Sequence, residues 1–254
     1  MITLSLIGIG TGNLDHVTLA AVRALNNADV ILLPRKGDAK SDLLDLRRLL
    51  CERLLAAPVT TNIVEFDLPS RNDDRNDYLG AVDDWHAAIA SVWAQLIDQH
   101  LPNGGRVGML VWGDPSLYDS SLRITQRLSA AGRAVEVEVV PGITSLQVLT
   151  AEHKIPLNAL AEPVHITTGR RLRERGWPSD AATVAVMLDS GGAFTVLPPE
   201  DTYIWWGAYL GMEKQCLIKG WLVEVSDEII QRRAELREQH GWMMDIYLLA
   251  KPEK

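Results

Sequence analysis

The chain has 254 residues, of which 47% are hydrophobic and 23% are charged. A chain of this length and composition can bury a full-sized core in one or two compact domains. Its formal net charge of −8 differs from the basic balance of nucleic-acid binders, so we expect no nucleic-acid partner. No apolar run reaches the ~18 residues of a membrane span, and no basic flank precedes the first apolar segment as in a secretion signal. These features predict a cytoplasmic protein with no membrane partner.

The cysteines and histidines give no metal-binding or disulfide pattern. Cys51 and Cys216 are far apart and belong to no CxxC pair, and the six histidines form no HxH or HxxxH pair. We therefore expect two reduced cysteines and no metal site built by the protein.

In the first half of the chain, apolar segments that predict strands alternate with segments of helical periodicity. The predicted strands are residues 4–9, 29–33, 59–68, 106–112 and 134–140. The predicted helices are residues 17–26, a segment that starts at Ser41, and residues 77–100 and 121–131. Near-continuous apolar strands are buried on both faces, and strand–helix alternation favours right-handed βαβ units, so we predict a mainly parallel sheet.

The predicted strands of the second half lie closer together in sequence, which predicts a mixed sheet. They are residues 163–168, 183–188, 202–206, 215–225 and 245–250, with helices at 145–153 and 226–240. The predicted fold class is therefore α/β with two α/β domains. Residues 1–143 form the first, residues 144–254 form the second, and no flexible linker separates them.

A glycine-rich loop, Gly8 to Gly12, follows the first predicted strand. It resembles a dinucleotide-binding turn, but that motif needs a glycine at position 13, where this chain has Asn13, and an acidic residue after the second strand, where it has Pro34. An NAD-linked oxidoreductase is therefore disfavoured. The alternatives are a tight turn alone, or a turn that also leaves backbone N–H groups for a ligand at the carboxyl edge of the sheet.

Two further motifs follow predicted strands. The segment 112–118 reads WGDPSLY, in which glycine allows close approach of a ligand and Asp114 offers a hydrogen-bond acceptor for a ribose or an ammonium group. The segment 139–145 reads VVPGITS, a Pro-Gly turn into a helix that Thr144 or Ser145 caps. Each motif alone is also explained by an ordinary turn or a capped helix start.

The order GxGxG, GDPxxY, PGITS resembles the tetrapyrrole methylase family, the class III S-adenosylmethionine-dependent methyltransferases. The resemblance covers nearly the whole chain and includes residues 6–33 and the QxxxxGxLxE pattern from Gln215 to Glu224. It implies S-adenosylmethionine as cofactor and S-adenosylhomocysteine as product, a cofactor cleft between the two domains, and a homodimer. The cofactor contacts that it implies are Thr11, Trp112, Gly113, Asp114, Leu117, Thr144 and Ser145, and, from spacing alone, Leu188, Leu210 and Gly211.

Within the family, the chain is similar to members that methylate precorrin-5 at ring carbon C1 with loss of acetate in cobalamin biosynthesis. The similar segments are LLPRK at 32–36, GRRL at 169–172 and WWGAY at 205–209. The uroporphyrinogen methylases carry a functional aspartate after the second strand, where this chain has Pro34, so that activity is not expected. Methylation at another precorrin position and a carrier without turnover remain alternatives.

This expected chemistry identifies candidate residues. Methyl transfer mainly needs alignment of the reactants, whereas deacetylation needs groups that move protons. Asp15, His16 and Tyr118 are the catalytic candidates, and histidine is the side chain that most often serves as a general acid or base. The alternative for His16 is a helix-start residue with a local backbone bond.

The substrate's acetate and propionate carboxylates call for arginine, which binds them in a bidentate manner. Arg35, Lys36, Arg170 and Arg171 follow predicted strands, the latter two in what we expect to be a loop, and Tyr209 is a further substrate candidate. The alternative for each charged residue is a solvated surface side chain.

Overall fold

The structure is a computed structural model that describes residues 1–35, 41–70 and 77–251. Its contacts divide the chain into two compact units, Met1–Ile143 and Thr144–Lys254. Among the described residues, no helix combines the length and the apolar content needed to cross a membrane. The predicted substrate residue Lys36 lies outside the described residues.

The first unit contains a five-stranded sheet in the order β3-β2-β4-β1-β5, in which every neighbouring pair is parallel. This confirms the predicted parallel sheet. The strands are β1 (Ile2–Gly8), β2 (Val30–Arg35), β3 (Asn62–Asp67), β4 (Gly105–Val111) and β5 (Val135–Val140). The helices are α1 (Leu19–Asn26), α2 (Ser41–Leu54), α3 (Tyr78–His100) and α4 (Ser121–Ala130).

Strand β1 shows why this sheet forms. All seven of its residues are buried, because successive side chains point to opposite faces and both faces are covered. Leu4 and Leu6 belong to the core that includes residues of α3 and α4, whereas Ile7 belongs to the core that includes residues of α1 and α2. This interior strand therefore contributes to two cores, and its carboxyl end lies at the carboxyl edge of the sheet.

The sheet of the first unit separates between β2 and β4 at its carboxyl edge. Their ladder ends at the pair Leu32 and Met109, although β2 continues beside β3 and β4 continues beside β1. In that register the next hydrogen bond would run from the amide of residue 34 to the carbonyl of Leu110. Residue 34 is Pro34, which has no N–H, so the ladder cannot continue.

The second unit contains a mixed sheet in the order β6-β7-β10-β8-β9, as predicted. Strands β6 and β7 are parallel, and the other neighbouring pairs are antiparallel. The strands are β6 (Val164–Thr168), β7 (Thr183–Met187), β8 (Tyr203–Ala208), β9 (Cys216–Trp221) and β10 (Asp245–Ala250), and the helices are α5 (Ser145–His153), α6 (Gly169–Arg175) and α7 (Leu222–His240).

Two predicted elements of the second unit were wrong. The arginine-rich segment after β6 is the helix α6 and not a loop, because the Thr168 side chain accepts a hydrogen bond from the Arg171 amide and caps it. The predicted strand 215–225 ends at Trp221, and α7 follows directly. Its first turn contains Val223 and Val225, whose β-branched side chains are typical of strands.

Candidate functional site

Three glycine-containing loops meet at the carboxyl edge of the first sheet. They follow β1, β4 and β5, and because these strands are neighbours and parallel, their carboxyl ends lie side by side. The loops after β1 and β4 are joined by main-chain hydrogen bonds, from Gly10 N to Gly113 O (3.3 Å) and from Gly113 N to Gly10 O (2.8 Å). Ligands of open α/β sheets bind at this edge.

The main chains of these loops are in direct contact. A Cβ atom on Gly142 would lie 2.1 Å from the carbonyl oxygen of Gly113 and 2.8 Å from the carbonyl carbon of Gly8. A Cβ atom on Gly8 would lie 2.6 Å from the amide nitrogen of Gly142. No side chain fits at these two positions, so glycine fixes the spacing of the three loops.

The carboxylate of Asp114 holds two of these loops together. One oxygen accepts hydrogen bonds from the amide of Ser116 (2.8 Å) and from its hydroxyl, and the other accepts from the amide of Gly142 (2.8 Å). Burial alone would raise the pKa of Asp114, but the bonds from Ser116 and Gly142 outweigh it and hold the pKa below its ordinary value. The carboxylate therefore stays charged and joins the loop after β4 to the loop after β5.

His16 lies against the glycine loop. A 3-10 turn, Leu14–His16, capped by the side chain of Asn13, folds back so that a Cβ atom on Gly10 would lie 3.0 Å from the Cβ of His16. The buried hydroxyl of Thr11 lies 3.2 Å from His16 Nδ1. Asp15 belongs to the same turn, but its side chain is exposed.

Three predicted site residues have a strained backbone. Tyr118, Leu188 and Tyr209 have φ angles of 50°, 52° and 50°, and they are three of the five non-glycine residues with positive φ in the described part of the chain. Such a conformation is rare for bulky residues and clusters at functional sites, where the surroundings hold it. Tyr118 is 43% exposed and Leu188 is 65% exposed, so both offer surface to a ligand.

The other predicted cofactor residues of the second unit lie on two segments. Thr144 is the N-cap of α5, which starts at Ser145, and its amide donates to the side chain of Gln147 (3.0 Å). Leu210 is buried, and the amide of Gly211 donates to the side chain of Gln215 (2.8 Å). The Gln215 side chain therefore fixes the loop after β8.

Tyr209 is buried, with 1% of its surface exposed, and its hydroxyl donates a hydrogen bond to the carbonyl of Trp242. Its ring contacts the rings of His240 and Trp242 edge to face. The structure therefore places the Tyr209 side chain in the core of the second unit, and its strained main chain shapes the loop that begins there.

The predicted substrate arginines are exposed and have carboxylate neighbours. Arg35 makes a bidentate pair with Asp67 at the ends of β2 and β3, with distances of 2.9 Å and 3.0 Å. On α6, Arg170 and Arg171 lie 3.9 Å and 3.8 Å from Glu174. Surface pairs of this kind contribute about 0–1 kcal/mol to stability.

The sequence did not reveal the role of Asp189, which directly follows the strained Leu188. Its fully buried carboxylate accepts hydrogen bonds from the hydroxyl of Tyr247 (2.7 Å) and the amides of Ala193 (2.6 Å) and Gly191 (3.1 Å), and it pairs with Arg173 (2.9 Å). Burial raises its pKa, but these partners together hold the pKa below the ordinary value. Asp189 thus fixes the chain after β7.

A second buried ion pair adjoins this network. Arg233 donates to the main-chain carbonyl of Asp189 (2.8 Å) and pairs with Asp245, whose carboxylate also accepts from Trp206 Nε1 (2.8 Å). In the sequence, only the Asp-Ser-Gly-Gly turn after β7 marked this region, and it did not indicate which residues pair with Asp189.

Residues 1–35, 41–70 and 77–251 contain no cluster of three or more His, Cys, Asp or Glu side chains arranged to hold a metal ion.

Comparison with known proteins gives one consistent family. The family model of the tetrapyrrole (corrin/porphyrin) methylases matches residues 3–226. The chain is 47% identical over 247 residues to the precorrin-6A synthase [deacetylating] of a Sinorhizobium species, covering 97% of this chain and 94% of that protein.

Two solved structures are also similar. The crystal structure of a cobalamin synthesis related protein (CobF) from Corynebacterium diphtheriae matches with a TM-score of 0.85 and 40% identity, over 100% of both chains. The uroporphyrin-III C-methyltransferase of Thermus thermophilus, complexed with S-adenosylhomocysteine, shares the fold, with a TM-score of 0.60 and 21% identity over 98% of this chain and 97% of that one. Together with the glycine loops at the carboxyl edge of the first sheet, these matches show that the chain belongs to the tetrapyrrole (corrin/porphyrin) methylases, the family of S-adenosylmethionine-dependent methyltransferases that its motifs resemble.

Proposed function

We propose that the protein is the methyltransferase of cobalamin biosynthesis that methylates precorrin-5 at C1 and releases acetate to give precorrin-6A. The observation that carries this proposal is the 47% identity to a precorrin-6A synthase [deacetylating] over 97% of the chain. The 40% identity to CobF over the full length of both chains supports the same assignment.

The residues present fit S-adenosylmethionine. The loops after β1, β4 and β5 form a cradle from which side chains are excluded at Gly8 and Gly142, so backbone groups are presented to a ligand. Bound there, the cofactor supplies a methyl group on a sulfonium. The proposed contacts are Thr11, Trp112, Gly113 and Leu117 of the first unit and Thr144, Ser145, Leu188, Leu210 and Gly211 of the second, while Asp114 holds the loops in place.

We assign the proton transfers of deacetylation to His16. The Thr11 hydroxyl at 3.2 Å from Nδ1 orients the ring, and Nε2 makes no hydrogen bond to any described residue. Nε2 takes a proton from the water that attacks the acetyl carbonyl. As the carbon–carbon bond breaks, its electron pair passes to the macrocycle, and the acetyl group leaves as acetate. The Tyr118 hydroxyl is the proposed donor to the carbonyl oxygen, whereas Asp15 is exposed and contributes charge alone.

We expect His16→Ala to lower the rate of acetate release by about 10²-fold or more, because it removes the general base. Acetate would be followed by mass spectrometry, and the affinity for S-adenosylhomocysteine by calorimetry should stay within about twofold. His16→Asn keeps a polar atom near the Thr11 hydroxyl and separates loss of the base from loss of that bond. Asp15→Asn, in the same turn, tests separately how much the exposed charge of Asp15 contributes. Wild-type acetate release by His16→Ala would remove His16 from the mechanism.

The substrate carboxylates are proposed to bind Arg35, Arg170 and Arg171, together with Lys36. The surface pairs of Arg35 with Asp67 and of Arg171 with Glu174 are weak, so a substrate carboxylate can replace these partners. The hydroxyl and ring of Tyr209 are engaged in the core, so its proposed part in the substrate site is limited to its strained main chain, which shapes the loop after β8.

We also propose that the protein is a cytoplasmic homodimer. The dimer is what the resemblance of its motifs to the family implies, and the cytoplasmic location rests on the sequence features given above. Light scattering after size-exclusion chromatography tests the dimer, since a single species at the monomer mass of 28.1 kDa would refute it.

The experiment that tests the function is mass spectrometry of precorrin-5 incubated anaerobically with the protein and S-adenosylmethionine. The expected product gains one methyl group and loses the acetyl group, with acetate in solution. Methylation without acetate release, or methylation of a different precorrin alone, would favour the second candidate, a methyltransferase of this fold that acts at another precorrin position.

A further inference from the structure

Arg47 occupies an unusual place for an arginine. It lies on the core-facing stripe of α2, between Leu44 and Cys51, which are both buried. The stripe packs into the core that also contains Leu110 of β4. Long charged side chains on such a stripe are normally paired with an opposite charge.

Two main-chain carbonyls, rather than a carboxylate, accept the described hydrogen bonds of Arg47. Its Nε donates to the carbonyl of Leu110 (3.3 Å) and its Nη1 donates to the carbonyl of Leu43 (3.2 Å), and it makes no ion pair within the described part of the chain. A guanidinium has five N–H donors, so these two bonds leave both donors of Nη2 and one of Nη1. Burial lowers the pKa of Arg47 to about 10, and the charge of Asp119 offsets part of that effect.

The position of Arg47 follows from the separation of β2 and β4. Pro34 cannot donate to the carbonyl of Leu110, and Arg47 Nε takes the place of the missing amide. The guanidinium therefore lies at the point where the two strands part, at the carboxyl edge of the sheet. Crevices of this kind are where open α/β sheets bind their ligands.

We propose that Arg47 binds a carboxylate of the tetrapyrrole substrate in the crevice between β2 and β4. The proposal rests on the proposed function and adds one residue to its substrate site. The paired donors of Nη1 and Nη2 match the two oxygens of a carboxylate, and the bound anion forms the direct ion pair that Arg47 lacks among the described residues. The crevice also adjoins Arg35, at the end of β2.

The decisive variant is Arg47→Met, which keeps the length of the side chain and removes its charge. We expect its KM for precorrin-5, and its Kd for uroporphyrin III as a stable carboxylated probe, to rise at least about tenfold, as for the loss of a charged hydrogen bond. Arg47→Lys should show a smaller rise in KM and Kd, because lysine keeps the positive charge but lacks the paired N–H donors of the guanidinium. The control Arg48→Met changes the next residue, whose exposed side chain pairs with Asp45 and Glu65, and should stay within about twofold of wild type.

Two further readouts separate binding from a structural role. The melting temperature of Arg47→Met should stay close to that of wild type, because removal of a buried charge offsets the loss of the hydrogen bonds to the Leu110 and Leu43 carbonyls, and the Kd for S-adenosylhomocysteine should not change. A lower melting temperature with unchanged tetrapyrrole affinity would assign Arg47 to the fold and overturn the proposal. A weaker affinity for S-adenosylhomocysteine alone would assign it to the cofactor's carboxylate and also overturn it.

The proposed function can fail independently of this inference. If the wild-type protein does not convert precorrin-5, but the Arg47→Met variant binds uroporphyrin III more weakly than wild type, the proposed function is wrong and the carboxylate site stands. If wild type converts precorrin-5 and Arg47→Met has the same KM, the function stands and the assignment of Arg47 is wrong.

Discussion

Gly142→Ala should lower the free energy of unfolding by about 3 kcal/mol and abolish measurable binding of S-adenosylhomocysteine. The added Cβ would lie 2.1 Å from the carbonyl oxygen of Gly113, so the loops after β4 and β5 must move apart. Overpacking of this kind costs about 1–3 kcal/mol and more where backbone is displaced. The movement would also break the hydrogen bond from the Gly142 amide to Asp114.

The matched control is Gly132→Ala, in the same unit. Gly132 has a φ of +78°, but an added Cβ would meet no atom within 4 Å. It therefore measures the cost of a positive φ without a collision, about 1 kcal/mol, and leaves the ligand loops unchanged. Urea unfolding followed by circular dichroism and calorimetric titration of S-adenosylhomocysteine check both variants. Equal effects of the two on stability and affinity would show that the contact between the loops is unimportant.

Asp189→Asn should lower the free energy of unfolding by about 3–5 kcal/mol, as for the loss of one partner of a buried ion pair. The amide of asparagine cannot accept from both the Ala193 and the Gly191 amides, and the charge opposite Arg173 is lost. The exposed Asp180 of the same unit provides the control, since Asp180→Asn should stay within about 0.5 kcal/mol of wild type. Similar stability of the two variants would contradict the assigned role.

The same substitution has a defined dependence on pH. The folded-state pKa of Asp189 lies below its ordinary value of 3.8, so the unfolded chain takes up a proton first as the pH falls. The stabilisation is fully present above the ordinary value and is lost as the pH falls through the folded pKa. The difference between wild type and Asp189→Asn should therefore be constant from neutral pH to about pH 5 and shrink in stronger acid. A difference that grows in acid would show that the pKa is raised.

All ten strands were predicted from the sequence, because each is a short segment rich in apolar or β-branched residues and bounded by a turn. The errors have local causes. Helix α6 is short, and its arginines gave no apolar stripe to recognise. The start of α7 was assigned to a strand because its first turn is rich in valine and leucine.

The site was predicted in part. The positions of the three loops follow from strand order, since motifs at the ends of parallel strands share one edge. What the sequence could not show are the distant partners of its polar side chains. The carboxylate of Asp114 bonds to a residue 28 positions away, and that of Asp189 bonds to one 58 positions away. Which groups pair across such distances depends on the tertiary packing, so the roles of these residues and of Arg47 became visible only in the structure.

The separation between β2 and β4 also has a mechanical consequence. Beyond the pair Leu32 and Met109, no main-chain hydrogen bond joins the two strands. At its carboxyl edge the sheet therefore consists of two groups of hydrogen-bonded strands, β3-β2 and β4-β1-β5, which are joined only up to that pair. Main-chain hydrogen bonds therefore do not set the distance between the carboxyl ends of β2 and β4, whereas they do set the spacing of β4, β1 and β5, from which the glycine loops extend.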